Sequence, residues 1–123
     1  MSQFFRSCFL LLLVASLSSC VYNNEEDLFP NTSSCDTTTV SFTAEVFPIL
    51  EANCTGCHSG AFPSGNLDLT THANVLTVAN DGRLVGVTRW LPNFSKMPDG
   101  EPQLPACNLD KIEAWVNQGA LNN

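Results

Sequence analysis

Basic residues are scarce in this chain of 123 residues, which has 5 lysines and arginines against 12 aspartates and glutamates. Arg6 lies in the first 19 residues, and without that segment 4 basic residues face 12 acidic ones, a formal charge of −8. So acidic a surface repels a phosphate backbone, which excludes nucleic acid as a partner. It favours a protein partner with a basic patch, chiefly by speeding association, although solubility alone also accounts for the charge.

Long apolar runs are also missing. The longest, residues 9–17, follows Arg6 and precedes Ser18 and Ser19, a layout typical of a secretory signal with a small-residue cleavage site. The run is too short for a permanent transmembrane helix. We therefore predict that residues 1–19 are a signal peptide and that the protein is exported.

The end of the signal, Leu17-Ser18-Ser19-Cys20, resembles a bacterial lipobox, in which the cysteine is acylated and becomes the mature N-terminus. The resemblance implies a lipid anchor on Cys20, on the periplasmic side or at the outer membrane. Several acyl chains on one residue give stable anchoring. An ordinary soluble signal peptide followed by an incidental cysteine is the alternative.

Residues 20–39 are polar and acidic and show neither helical nor strand periodicity. This composition predicts a solvated, flexible tether. The remaining residues, 40–123, are enough for a single small domain.

The segment Cys54-Thr55-Gly56-Cys57-His58 has the spacing of a c-type haem attachment site in an exported protein. Two thiols add across the two vinyl groups of one porphyrin, and the next residue brings an imidazole nitrogen to the iron. One short helical turn can satisfy all three requirements.

Histidine and methionine are rare, which limits the second axial ligand of such an iron. Once the signal is removed, Met97 is the only methionine and His72 the only other histidine. Met97 lies 39 residues after His58, in the segment 91–107, where four prolines predict a long, rigid, irregular loop. A thioether ligand raises the reduction potential. We interpret His72 as solvated, and replacement of Met97 by His72 stays open.

Apolar spacing predicts three helices, with the stretch 84–90 left undecided between helix and strand. The first spans about 43–53 and either starts near Phe47 or breaks at Pro48. The second is capped by Thr70 or Thr71 and runs to about Ala79. The last is predicted to be capped by Asn108 and to bury one side, formed by Leu109, Ile112, Trp115 and Val116.

Together the attachment motif, Met97 and a last helix ending in Trp115…Gly119-Ala120 resemble a monohaem c-type cytochrome over residues 40–123. The resemblance implies an all-α, class I-like fold in which helices wrap around one covalently attached haem c. Its iron would be bound by His58 and Met97, the latter on the long proline-rich loop. In this family the last helix packs across the first.

Under this interpretation the cysteines can be assigned. Cys8 leaves with the signal and Cys20 carries lipid, so that only Cys35 and Cys107 remain beside the haem cysteines. An exported compartment permits a disulfide between them. Closing a loop of 72 residues (107 − 35) would stabilise the fold by roughly 4 kcal/mol.

The implied function is electron transfer to and from redox proteins, with no catalytic residue and no dedicated small-molecule substrate. A haem peroxidase or sensor with a displaceable distal ligand is the alternative, although a second Cys-x-x-Cys-His for a dihaem peroxidase is missing. Without haem, Cys54 and Cys57 could form a redox disulfide. Alternatively, Cys54, Cys57 and His58 could bind zinc, with Cys35, Cys107 and His72 as the residues available to complete the site.

Haem propionates need charged or hydrogen-bonding partners when buried. The candidates are Arg83, Arg89 and Trp90. A core position for Trp90 and surface positions for both arginines are equally compatible with the sequence.

Overall fold

The computed structural model describes residues 35–123, which form one compact unit. Within this range the chain is helical and has no strand, so that the predicted all-α class is confirmed there. The four α-helices are α1 (Phe47–Asn53), α2 (His72–Asn80), α3 (Arg83–Thr88) and α4 (Ala106–Asn117). The predicted signal peptide, the lipidation site Cys20 and the tether up to residue 34 lie outside the described residues.

Pro48 shapes the start of α1. A π-helical turn, Phe42–Val46, leads directly into α1, with Pro48 in the first turn of that helix. Proline lacks an N–H, and inside a longer α-helix its ring would crowd the carbonyl of Ala44. The wider turn avoids this arrangement, and the Val46 N–H bonds to the Ser41 carbonyl at 3.1 Å. The helical segment therefore begins before Pro48 and continues through it.

Ser41 and Glu45 cap this segment reciprocally. Ser41 Oγ accepts a hydrogen bond from the Ala44 N–H at 3.2 Å, and Glu45 Oε2 accepts one from the Ser41 N–H at 2.9 Å. Glu45 Oε1 also lies 3.0 Å from Lys111 Nζ on α4. The bond from the Ser41 N–H, followed by Lys111, lowers the pKa of Glu45 below its ordinary value of 4.5.

Stability is expected to fall on acidification in a way that depends on Glu45. Because its pKa is lower in the folded state, its contribution is fully present above about pH 5 and is lost as the pH falls through the folded-state value. Glu45→Gln should therefore cost about 1 kcal/mol of unfolding free energy at pH 7 and much less at pH 3. Denaturant unfolding at both pH values measures this.

Glu51→Gln is the matched control, because Glu51 is an exposed residue of α1 whose side chain has no ion pair among the described residues. An equal cost of Glu45→Gln at both pH values would contradict the prediction.

The core lies between the first and last helical segments and the second helix. Phe42 and Trp115 have ring centroids 5.2 Å apart, which joins the turn before α1 to α4. The largest fully buried side chains are Trp115, Leu50, Ile112, Val40, Val46, Val75 and Thr88. All of these except Thr88 are apolar, and burial of the apolar side chains is the main stabilising term for so small a domain.

Helix α2 begins where the sequence predicts, since Thr71 is its N-cap and Thr71 Oγ accepts from the Asn74 N–H. Gly82 separates α2 from α3 and has φ 81°, a left-handed conformation that glycine adopts without steric cost. The undecided stretch 84–90 is mostly helical and belongs to α3.

The predicted N-cap of the last helix is wrong. Helix α4 begins at Ala106, with Pro105 as the residue before it, rather than after Asn108. The Pro105 carbonyl accepts from the N–H groups of Asn108 and Leu109 at 2.9 and 3.2 Å, so that helical bonding starts earlier. Proline needs no partner for a missing N–H at a helix start, which explains the shift. Cys107 therefore lies in the first turn of α4.

The segment that enters the unit is fixed along α4. Cys35 and Cys107 form a disulfide, with Cα atoms 5.4 Å apart. The Gln118 side chain accepts from the Val40 N–H and donates to the Thr37 carbonyl, both at 2.9 Å. Residues 35–39, which the sequence places in the tether, are thus part of the compact unit.

Among the described helices, none combines the length and the apolar character that crossing a membrane requires.

Candidate functional site

The attachment motif forms a turn that continues directly from α1. The Cys54 N–H bonds to the Leu50 carbonyl at 2.8 Å, and the His58 N–H bonds to the Cys54 carbonyl at 2.9 Å. Helix-like bonding therefore extends from α1 through the whole motif. This brings both thiols and the imidazole onto a short, rigid stretch of backbone.

The imidazole of His58 is fixed by the loop that follows it. His58 Nδ1 lies 3.1 Å from the Ser64 carbonyl oxygen and 3.3 Å from that of Leu67. Carbonyls accept only, so Nδ1 must carry the proton and donate. This tautomer leaves a lone pair on Nε2, and an Nδ1–H bound to a backbone carbonyl is the usual arrangement of a metal-ligating histidine.

The loop itself is held to the motif by backbone bonds. The Ser64 N–H bonds to the Cys57 carbonyl at 2.9 Å, and the Leu69 N–H bonds to the His58 carbonyl at 2.8 Å. Because these bonds flank the acceptors of His58 Nδ1, the carbonyl positions and hence the orientation of the ring are fixed.

A cleft of about 430 Å³ brings the predicted haem residues together. It is lined by Asn53, Cys54, Cys57, His58, Ser64, Gly65, Leu69, Met97, Pro98, Asp99 and Glu101. A second cleft of about 520 Å³ shares Asn53, Pro98 and Glu101 with the first. The end of α1 and the loop after Met97 therefore enclose the space between them.

Met97 is held beside this cleft by two hydrogen bonds of its backbone. Its N–H donates to the Val87 carbonyl at 3.0 Å, and its carbonyl accepts from the Trp90 indole N–H at 2.9 Å. Met97 thus lines the same cleft as the motif despite a separation of 39 residues (97 − 58) in sequence.

His72 does not line the cleft. Its Nε2 lies 2.9 Å from the Ala120 carbonyl, and its ring makes edge contacts with Phe42 and Trp115 at centroid distances of 4.8 and 5.9 Å. His72 is therefore half-buried and hydrogen-bonded rather than fully solvated as predicted. It joins the start of α2 to the C-terminal segment beside the core.

The suggested propionate partners bind groups of the chain itself. Arg83 pairs with Asp81, and the Trp90 indole donates to the Met97 carbonyl. Arg89 pairs with two α4 carboxylates, those of Asp110 and Glu113, at 2.6 and 2.7 Å. One Arg89 donor, the buried Nε, has no partner among the described residues, yet Arg89 does not line the cleft.

The cleft is lined by acidic side chains and by neither arginine. Asp99 and Glu101 line the opening and are exposed. Carboxyl groups of a bound cofactor would be repelled by these residues and would be most stable toward solvent.

The two thiols of the motif are free rather than joined in a disulfide. Burial raises the pKa of the Cys54 thiol to about 11, whereas redox-active cysteine pairs have lowered thiol pKa values. This disfavours the thiol–disulfide alternative.

The zinc alternative lacks its ligands. Cys35 and Cys107 form a disulfide, and His72 Nε2 lies at the Ala120 carbonyl. Within residues 35–123, no group of three or more His, Cys, Asp or Glu side chains is placed to hold a metal ion. The three residues that the sequence offered to complete such a site are therefore engaged elsewhere.

Several contributors to the site had no distinctive sequence signal. The Ser64 and Leu67 carbonyls that fix His58 are backbone groups that any residue carries. Leu69 is buried and lines the cleft beside the motif, but in the sequence it is only one residue of a short apolar alternation. Trp90 was a candidate partner of propionates, and only the fold brings it to Met97.

No protein-family model, curated protein or solved structure matches this chain.

Proposed function

We propose that the folded unit is a small monohaem c-type cytochrome domain with a class I-like arrangement of helices. The supporting observation is that one cleft is lined by two free cysteines, by His58, whose imidazole is oriented by backbone carbonyls, and by Met97. Among haem proteins of this kind, the particular role we propose is that of a membrane-tethered electron carrier.

The chain offers one residue for each bond that haem c requires. Cys54 and Cys57 would hold the porphyrin covalently, His58 would bind the iron through Nε2, and Met97 would supply the second iron ligand. The bound haem supplies the chemistry, which is a reversible one-electron change of its iron. A histidine and a methionine together favour a high reduction potential.

The protein orients these groups. Two backbone carbonyls fix the His58 ring, and two hydrogen bonds fix the backbone of Met97. The buried side chain of Leu69 and the half-buried side chain of Cys54 give the inner wall an apolar character. Preset ligands beside an apolar wall reduce the rearrangement that accompanies a change of charge.

Charge supports a protein partner with a basic docking patch. Residues 35–123 contain 9 acidic and 4 basic residues, and two of the acidic ones, Asp99 and Glu101, line the cleft opening. Electrostatic attraction would orient the open side of the cleft toward that partner and speed encounter at low salt. We propose no nucleic-acid partner and no dedicated small-molecule substrate.

The N-terminal residues complete the proposal. Removal of residues 1–19 and acylation of Cys20 would attach the protein to a membrane, on the periplasmic side or at the outer membrane. The acidic tether behind Cys20 would let the domain reach partners above the lipid surface.

Covalent haem attachment tests the proposal. The full chain, produced in a host with cytochrome c maturation machinery, should show the sharp reduced α-band of c-type haem after dithionite is added. Haem should remain with the polypeptide under denaturing conditions. The variant Cys54→Ala with Cys57→Ala should lose all covalent haem.

The variant Cys35→Ala with Cys107→Ala is the matched control, since it also removes two cysteines but leaves the cleft intact. It should retain covalent haem. A wild-type protein that acquires no haem in such a host would refute the proposal. Covalent haem without a methionine–iron band would favour the peroxidase or sensor alternative.

A further inference from the structure

Trp90 has an unusual backbone conformation at the end of α3. Its φ is 56°, in the left-handed region that glycine or asparagine usually occupies after a helix. The Leu91 N–H bonds back to the Gly86 carbonyl at 2.9 Å, which closes the helix end around Trp90. A bulky residue in this conformation is unfavourable and needs compensating contacts.

The compensating contact is made with Met97. The Trp90 indole N–H donates to the Met97 carbonyl at 2.9 Å, across the six intervening residues 91–96. The Met97 N–H is bound on its other side to the Val87 carbonyl. Because both peptide groups of Met97 are bound, its Cα is fixed and the thioether extends from a defined point.

The loop between the two residues cannot position Met97 by its own burial, since residues 91–96 are all exposed. Two further contacts hold this loop near α3. The Phe94 ring lies against Gly86, where an added Cβ would come 2.6 Å from ring carbons. Lys96 Nζ lies 4.8 Å from the centroid of the Trp90 ring. Trp90 is thus contacted by the loop at its face and by Met97 at its N–H.

We propose that Trp90 is a positioning residue for Met97. The Trp90 indole N–H holds the Met97 backbone so that the thioether can reach a haem iron in the cleft. The inference rests on the proposed His58/Met97 ligation and adds the group that maintains it. Trp90 itself does not line the cleft, so that it would act on the iron only through Met97.

Competition by imidazole for the ferric haem tests this role. Imidazole must displace Met97, so its apparent affinity rises when Met97 is held less firmly. Trp90→Phe should raise that affinity about threefold to tenfold, the factor that corresponds to one hydrogen bond of net value. It should also weaken the methionine–iron band. Replacement of Trp90 by benzothienylalanine, which keeps the ring shape and lacks the N–H, should give the same change if Trp90→Phe does not fold.

Trp115→Phe is the matched control. The Trp115 indole N–H donates to the Leu121 carbonyl at the same distance of 2.9 Å, yet Trp115 does not line the cleft. This variant should lose stability without a change in imidazole affinity relative to wild type. A general loosening of the fold would instead raise imidazole affinity in both variants and would refute the proposal.

Different results would overturn the positioning role of Trp90 and the proposed His58/Met97 ligation. A wild-type band that depends on Met97, together with unchanged imidazole affinity in Trp90→Phe and in the benzothienylalanine variant, overturns the role of Trp90 alone. Absence of that band from the wild type overturns His58/Met97 ligation, and the role of Trp90 falls with it.

Discussion

Met97→Ala is expected to abolish the weak near-infrared band of a methionine sulfur bound to ferric haem iron and to lower the reduction potential. The shift should be on the order of 0.2 V, a part of the roughly 0.8 V over which axial ligands set haem potentials. The physical reason is that a thioether stabilises the ferrous state and Met97 is the only methionine that lines the cleft. Optical spectra and a redox titration of the full haem-loaded chain measure both effects.

His72→Gln is the control for this prediction. His72 is bound to the Ala120 carbonyl and does not line the cleft, so that the variant should keep the near-infrared band and the potential of the wild type. If the wild type lacked the band and His72→Gln changed the potential, bis-histidine ligation would replace the proposed ligand pair.

Cys35→Ser combined with Cys107→Ser is expected to lower the free energy of unfolding by about 4 kcal/mol. The disulfide closes a loop of 72 residues, and its loss restores conformational freedom to the unfolded chain. For a domain of this size the melting temperature should fall by roughly 20 °C. A thermal melt of the haem-loaded protein, followed at the haem absorption and by circular dichroism, gives the change.

Wild-type protein treated with a thiol reductant provides the control, since it should melt close to the double variant. With the haem reduced to the ferrous state in all three samples, its spectrum before melting should be the same, because neither cysteine lines the cleft. A melting temperature that is insensitive to both treatments would show that the contacts of Gln118 with Val40 and Thr37 suffice to hold the entering segment.

The helical class and several helix boundaries could be predicted from sequence because their signals are local. Thr71 caps α2 with its own side chain, and Gly82 ends the helix through its own backbone freedom. Pro48 left two alternatives, a helix that starts near Phe47 or an earlier turn that breaks at Pro48. In the structure α1 does start at Phe47, and a wider π-helical turn precedes it without a break. The predicted start of α4 was wrong because Asn108 is a residue type that often caps helices. The helix instead begins at Ala106, directly after Pro105.

The chemistry of the attachment motif is equally local, since the two thiols and the imidazole lie within five residues. The spacing of the motif by itself predicts one cofactor, a covalently attached haem. The rarity of methionine and histidine then reduces the possible second ligands to Met97 and His72.

Which of these two residues lines the cleft beside the motif depends on tertiary structure. The fold brings Met97 to the cleft through the Val87 carbonyl and the Trp90 indole, and it turns His72 toward Ala120 in the core. The carbonyls that orient His58 are likewise selected by loop geometry. Backbone acceptors are the same at every residue, so that only the path of the chain determines which of them meets a given side chain.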